Sequence, residues 1–228
     1  RMIQEQEDVF YYITCMNENY VHPPMPKGVE DGILRGMYLL QVGGQGKIRA
    51  QLMGSGTILR EVIAAADLLM KDFGIPTDVW SVTSFNELRR DGIDSERWNM
   101  LHPGKKKRVP YISSQLAKSS GPVVAATDYM RSYADQVRSY IDRTYVVLGT
   151  DGFGRSDMRS ALRRFFEVNR YYVVIAALTA LAVLTGADTR KLTQVRNEVR
   201  ELFAAEFGNS GLRTDTIVRR SGQGKSFL

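Results

Sequence analysis

The stretch Gly149-Thr-Asp-Gly-Phe-Gly-Arg-Ser-Asp157 joins three glycines to two acids, a base and two hydroxyls within nine residues. Glycines permit tight turning, and Ser156 or Asp157 can cap a following helix. An apolar run, 145–148, leads into the stretch, and a helix-like segment, 157–166, leaves it. Strand, glycine-rich turn and helix is the layout in which α/β proteins place functional loops. The spacing is that of neither a dinucleotide fingerprint nor a phosphate-binding P-loop, so the first reading is a structural turn at a strand end.

Other chemistry-bearing residues fit simpler roles. Gly222-Gln-Gly-Lys-Ser226 imitates the end of a Walker A loop, but Arg219 stands where its first glycine belongs, and only two residues remain for the helix. Ser55 has glycines adjacent to it rather than two positions away, which excludes a nucleophile elbow. His22 and His102 lie in separate proline-bounded loops, and no carboxylate/His group has metal-ligand spacing. Cys15 follows an apolar run and reads as a small buried hydrophobe. As the single cysteine it excludes an intrachain disulfide framework. Trp98, within Glu96-Arg-Trp-Asn99, reads as a packing residue at a subunit or domain contact.

The elements that position these residues follow from periodicity. The aromatic, β-branched run 9–14 predicts a buried strand, and residues 15–20 a loop at its carboxyl end. His22-Pro-Pro-Met-Pro26 forces extended chain, so residues 1–30 read as the tail of an upstream domain. Residues 37–42 and 48–53 predict strands joined as a hairpin at a sheet edge. Ile58, Val62, Ala65, Leu69 and Phe73 repeat at helical spacing, with Thr57 as cap and Gly74 as stop. Further strands are expected at 78–82, 122–127 and 145–148. Further helices are expected at 87–90 (capped by Asn86), 113–118, 128–141, 157–166 and 171–184, with 91–110 largely loop. Alternating strands and helices predict an α/β domain with a mostly parallel sheet, an antiparallel edge and helices on both faces. Residues 190–207 predict an amphipathic helix, and 208–228 a Gly/Ser/Arg-rich disordered end.

With 228 residues, 43% of them hydrophobic, the chain can bury a substantial core. A mean hydropathy of -0.25 predicts a soluble protein. The longest apolar run, 171–184, falls short of a bilayer span, and the charged amino terminus lacks the apolar core of a signal peptide. The net charge of +6 is concentrated after residue 188, where eight Lys/Arg face four acids. The only basic block elsewhere, Lys105-Lys-Lys-Arg108, sits between prolines and reads as a solvated loop, with a polyanion contact as the alternative.

Four stretches then point one way: Tyr11-Tyr-Ile-Thr-Cys-Met-Asn-Glu-Asn-Tyr20, Ser81-Val-Thr-Ser-Phe-Asn-Glu-Leu88, Glu96-Arg-Trp-Asn-Met-Leu-His-Pro103 and Gly149-Thr-Asp-Gly-Phe-Gly-Arg-Ser-Asp157. In order and spacing they resemble the C-terminal part of the homodimeric, bacterial-type pyruvate dehydrogenase E1 component, in the transketolase superfamily. Phe166-Glu-Val168 and Tyr171-Tyr-Val-Val174 extend the likeness. The resemblance implies a three-layer α/β transketolase C-terminal-like domain over 31–188. It is preceded over 1–30 by the last strand and exit linker of a pyrimidine-binding domain, and followed over 189–228 by an atypical basic tail. It implies a full-length enzyme that uses thiamine diphosphate and Mg²⁺, decarboxylates pyruvate and acetylates the lipoyl group of dihydrolipoyl acetyltransferase (E2). A cytoplasmic homodimer is expected, with no nucleic-acid or membrane partner.

The family's Gly-Asp-Gly…Asn motif is absent, so neither cofactor nor metal is expected to bind this chain alone, and no catalytic residue is assigned. The resemblance makes Asn17, Glu18, Asn19 and Tyr20 active-site rim candidates, with a domain-linker turn as the alternative. Relatives that use sugar phosphates carry an arginine near this loop; its absence here fits a small 2-oxo acid. Arg97, Trp98, His102, Asp151 and Arg155 are expected to make subunit contacts or order loops. Another thiamine enzyme such as a transketolase, and an orphan interaction or regulatory module, are the alternatives.

Overall fold

The computed structural model describes residues 1–13 and 19–186, with Asn197 and Glu201 as isolated positions. The expected helix over 190–207 and the disordered end lie outside the described residues apart from those two.

Four parallel strands carry the domain: β2 (Ala50–Gly54), β3 (Thr77–Val82), β4 (Val123–Met130) and β5 (Tyr145–Thr150). A fifth, β1 (Met37–Gln41), pairs antiparallel with β3. The sheet order is β1-β3-β2-β4-β5. The expected antiparallel edge is therefore present, but the expected 37–53 hairpin is not. β3 lies between β1 and β2, and a bulge between Leu39 and Gln41 turns β1 along it. The linker 42–49 is long enough to cross β3, so sequence proximity does not impose pairing.

Both sheet faces are buried, and side chains alternate between them. Leu52, Val79, Val124 and Ala126 face one core, with α2 (Leu59–Phe73) and α7 (Arg170–Thr185). Met53, Trp80, Val82, Ala125 and Val147 face the other. There α3 (Phe85–Leu101), α4 (Tyr111–Leu116) and α5 (Arg131–Asp135) cover them. A short α1 (Glu30–Leu34) precedes β1, and α6 (Arg159–Phe165) precedes α7.

Local chemistry explains the departures from expectation. α3 occupies 85–101, where mostly loop is expected, because Ser84 rather than Asn86 caps it, accepting from the Glu87 N–H at 3.0 Å. Gly92 stays inside α3 because a Cβ there would stand 2.2 Å from the Tyr140 ring. Residues 128–130 extend β4 instead of starting a helix, and α5 begins only at Arg131. A 3₁₀ turn, Gly56–Ile58, leads into α2 without a Thr57 cap, while Gly74 ends α2 at φ +64°. α6 likewise begins without a side-chain cap.

Residues 9–13 form no strand. Phe10 is 88% exposed and Tyr12 89%. A central strand needs ladder partners on both sides, and the five strands described pair with one another. By length and composition alone, Arg159–Thr185 is apolar enough to cross a membrane. Glu167, at φ +59°, breaks it into α6 and α7, and α7 buries Tyr171, Val173, Val174, Ala177 and Leu181 against the sheet.

Candidate functional site

Parallel strands gather their exits at one edge. β2 leaves toward α2 on one face, and its neighbour β4 leaves toward α5 on the other. Adjacent strands that exit to opposite faces open a crevice between them, the usual ligand position of open α/β sheets. A cleft of about 310 Å³ lies there, lined by Ser55, Thr83, Ser84, Asn86, Thr127 and Tyr129 among others.

A bulge shapes this edge. Between Ala126 and Met130 the register of β4 slips against β5, and Thr150 Oγ1–H donates to the freed Asp128 carbonyl at 2.9 Å. Thr127 is fully buried and Ser55 is 8% exposed. The Ser55 hydroxyl donates to Thr127 Oγ1 at 2.7 Å, and the Tyr129 N–H donates to the same oxygen at 3.2 Å. Thr57 donates to Asp128 at 3.1 Å, and Gln136 donates to Asn86 at 2.8 Å. Ser55 thus points to another hydroxyl and not to a base. The arrangement orders loops; it has no nucleophile–base pair.

Tyr20 reaches the same edge. Arg60, in the first turn of α2, stands 4.4 Å from its ring centroid, and Arg159, at the start of α6, stands 6.0 Å away. Asn19 is exposed, while Asn17 and Glu18 lie outside the described residues. In the glycine-rich loop Gly152 adopts φ +81°, Asp151 is exposed and the Arg155 guanidinium lies 4.3 Å from the Phe165 ring. Phe153, at 96% exposure, is the loop's apolar tip.

Trp98 and His102 meet elsewhere. Their rings stack at 3.7 Å with 17° between planes, and the His102 Nδ1–H donates to the Trp98 carbonyl at 2.9 Å. A rise of about 1.5 Å per residue along α3 separates Trp98 from Phe85, at the cleft, by about 20 Å. Arg97, beside Trp98, is exposed. The candidate residues therefore divide between the carboxyl edge and the far end of α3.

Two buried polar groups escaped the sequence reading. Glu61 sits on the apolar stripe of α2, one turn from Ile58 and Ala65, and is 7% exposed. It accepts from the Arg170 Nε–H and backbone N–H, each at 3.0 Å, and from Arg163 at 3.3 Å. Burial pushes its carboxyl pKa up, but the hydrogen bonds and charges of Arg170 and Arg163 outweigh this and hold it below the ordinary value. An acid on an apolar stripe was the available signal. Gln51, fully buried, accepts from Trp80 Nε1–H at 2.8 Å and donates to Asp78 at 2.9 Å, and Asp78 also takes Arg49 at 2.6 Å.

Among the described residues, the Asp-Gly pairs do not form a diphosphate–Mg²⁺ site. Of the three Asp-Gly pairs in the sequence, Asp31-Gly32 lies inside α1, where a Cβ on Gly32 would stand 2.9 Å from the Met37 carbonyl oxygen; Asp91 accepts from the Tyr111 N–H at 2.6 Å, and Gly92 is closed by Tyr140. Asp151-Gly152 lies on an exposed loop. Among the described residues no group of three His, Cys, Asp or Glu side chains can hold a metal ion.

The chain is 61% identical over 184 residues to the pyruvate dehydrogenase E1 component of Pseudomonas aeruginosa, an alignment covering 80% of this chain and 21% of that protein. To the protein of the same name from Cupriavidus necator it is 58% identical over 184 residues, with the same coverage. It spans about a fifth of the length of these curated relatives. A solved split-gene transketolase, described as an inactive β4 tetramer, aligns at 20% identity and TM-score 0.45 over 64% of this chain and 42% of that one. Residues 36–169, more than half of the chain, match the model of the transketolase-like TK C-terminal domain, and the chain belongs to that family.

Proposed function

We propose that this chain is the carboxyl-terminal section of a thiamine-diphosphate-dependent pyruvate dehydrogenase E1 component. The whole protein oxidatively decarboxylates pyruvate and passes the acetyl group to the lipoyl group of dihydrolipoyl acetyltransferase. It works in the cytoplasm as a homodimer, with no nucleic-acid or membrane partner. The observation that carries this reading is 61% identity over 184 residues to a protein of that name. Thiamine diphosphate and Mg²⁺ are held by parts of the protein other than these residues.

In this reading residues 1–30 complete the pyrimidine-binding domain, 31–188 form the C-terminal domain and 189–228 are a separate tail. The section supplies packing surface. Phe10, Tyr12, Ile13, Val21, Phe153 and Met158 are each at least 77% exposed, more apolar surface than isolated side chains account for. The rest of the protein and the second subunit cover it. Asn17, Glu18, Asn19 and Tyr20 line the rim of the active site, and Arg97, Trp98, His102, Asp151 and Arg155 order contact loops.

Calorimetric titration of thiamine diphosphate with Mg²⁺ tests the division of labour. The isolated chain gives no saturable heat, whereas the complete protein binds the cofactor and turns over pyruvate. Saturable binding by the chain alone, or a complete protein without pyruvate decarboxylation, overturns the reading. Phe153→Asp in the complete protein lowers the dimer fraction in sedimentation; an unchanged dimer removes that loop from the interface.

A further inference from the structure

The loop after α3 is basic and unusually well held. The Trp98 indole has the His102 imidazole at 3.7 Å and the Arg108 guanidinium at 3.7 Å. Two planar groups that close to one ring system must lie on its opposite faces, so Arg108 and His102 enclose Trp98. Asn99 closes the loop base. Its Nδ2–H donates to the Arg108 carbonyl at 2.9 Å, and its Oδ1 accepts from the Arg108 N–H at 2.8 Å. Arg108 also pairs with Asp94 at 3.5 Å. The Lys105 N–H donates to the His102 carbonyl at 3.0 Å, which turns the chain.

Lys105, Lys106 and Lys107 project from this turn. All three are exposed, and among the described residues none forms an ion pair. A flexible basic tail pays ordering entropy when it binds, but a turn fixed at both ends has lost much of that entropy already. Beside the cations stand Met100 at 68% exposure, Leu101 at 54% and Val109 at 63%. Cation and apolar surface are thus interleaved.

We propose that the 102–110 loop is a docking site for an acidic, amphipathic segment of a partner protein. Its carboxylates meet Lys105, Lys106 and Lys107, and its apolar side chains cover Met100, Leu101 and Val109. A nucleic acid fits this surface less well, because its phosphate backbone leaves the apolar residues uncovered and meets the exposed Asp94.

The probe is a fluorescein-labelled peptide of alternating Glu and Leu, followed by anisotropy with the full chain. Wild type binds it, and affinity falls with added salt. The variant K105Q/K106Q/K107Q binds about tenfold more weakly. The control K27Q/K47Q/K118Q removes the same charge from other exposed lysines and leaves affinity unchanged. Asn99→Ala keeps every cation but loosens the loop, so it weakens binding severalfold. Equal losses in the two triple variants mean that overall charge alone is read, which overturns the proposal. So does tighter binding of single-stranded DNA or anionic vesicles than of the peptide, or full affinity in Asn99→Ala.

Discussion

Replacing Glu61 with Gln tests how α6 and α7 are held to the rest of the domain. The carboxylate is nearly buried on α2 and receives two arginines from across the α6–α7 junction. Removing one member of a buried ion pair costs about 3–5 kcal/mol, because the partner is left charged and poorly solvated. Here the Arg163 side chain is 19% exposed and that of Arg170 is 36% exposed, so water recovers part of the loss. Gln also retains one acceptor oxygen. The expected cost is about 2–3 kcal/mol, a melting decrease of roughly 4–12 °C for a domain of this size.

The pH dependence gives a second readout. The arginines hold the folded pKa of Glu61 below the ordinary glutamate value. A depressed carboxylate contributes stability above the unfolded pKa and loses it as pH falls through the folded pKa. The gap between wild type and Glu61→Gln is therefore full at neutral pH and narrows below about pH 4.5. Urea unfolding of both chains across this range measures it. A difference under about 0.5 kcal/mol at neutral pH, or a gap that stays constant into acid, refutes the role given to this carboxylate.

Three further perturbations separate backbone, cap and core effects. Gly121 adopts φ +90°, and a Cβ there would stand 1.9 Å from the Arg49 carbonyl oxygen. Gly121→Ala is expected to cost at least about 3 kcal/mol, whereas Gly74→Ala, also at positive φ but facing open space, costs about 1 kcal/mol. Thermal unfolding ranks the two. Ser84→Ala removes the α3 cap and costs about 1 kcal/mol, with earlier hydrogen exchange in the first turn of α3 as its local signature. Gln51→Leu strands the Trp80 indole N–H and removes a donor from the buried Asp78 carboxylate, and costs about 2–4 kcal/mol in urea unfolding, with a change in tryptophan fluorescence.

Apolar runs and one helical stripe made the two-faced sheet legible. The runs at 78–82 and 145–148, with apolar residues in succession, and the stripe from Ile58 to Phe73 state their own burial. Strand order was not legible, because the β1–β3 pairing joins residues 38 to 45 positions apart and no local signal encodes it. α3 was hidden for a different reason. Its outer face carries Arg89, Arg90, Asp94 and Arg97, and its inner face includes a glycine, so the apolar repeat is too sparse to mark a helix. The glycine makes sense only with Tyr140 in place.

The candidate residues show the same limit. The glycine-rich loop announced itself by composition, yet its polar side chains are spread along an exposed turn. Trp98 and His102 were legible as contact candidates, but their stacking was not, because it needs them one helical turn apart on α3, where a loop was expected. Arg108, which completes that stack, sits across a turn whose closure depends on Asn99. The basic run beside it looked like a solvated loop because sequence gives charge without stiffness. Stiffness comes from three contacts to α3, and it is what turns four adjacent cations from a diffuse charge into a surface with a defined shape.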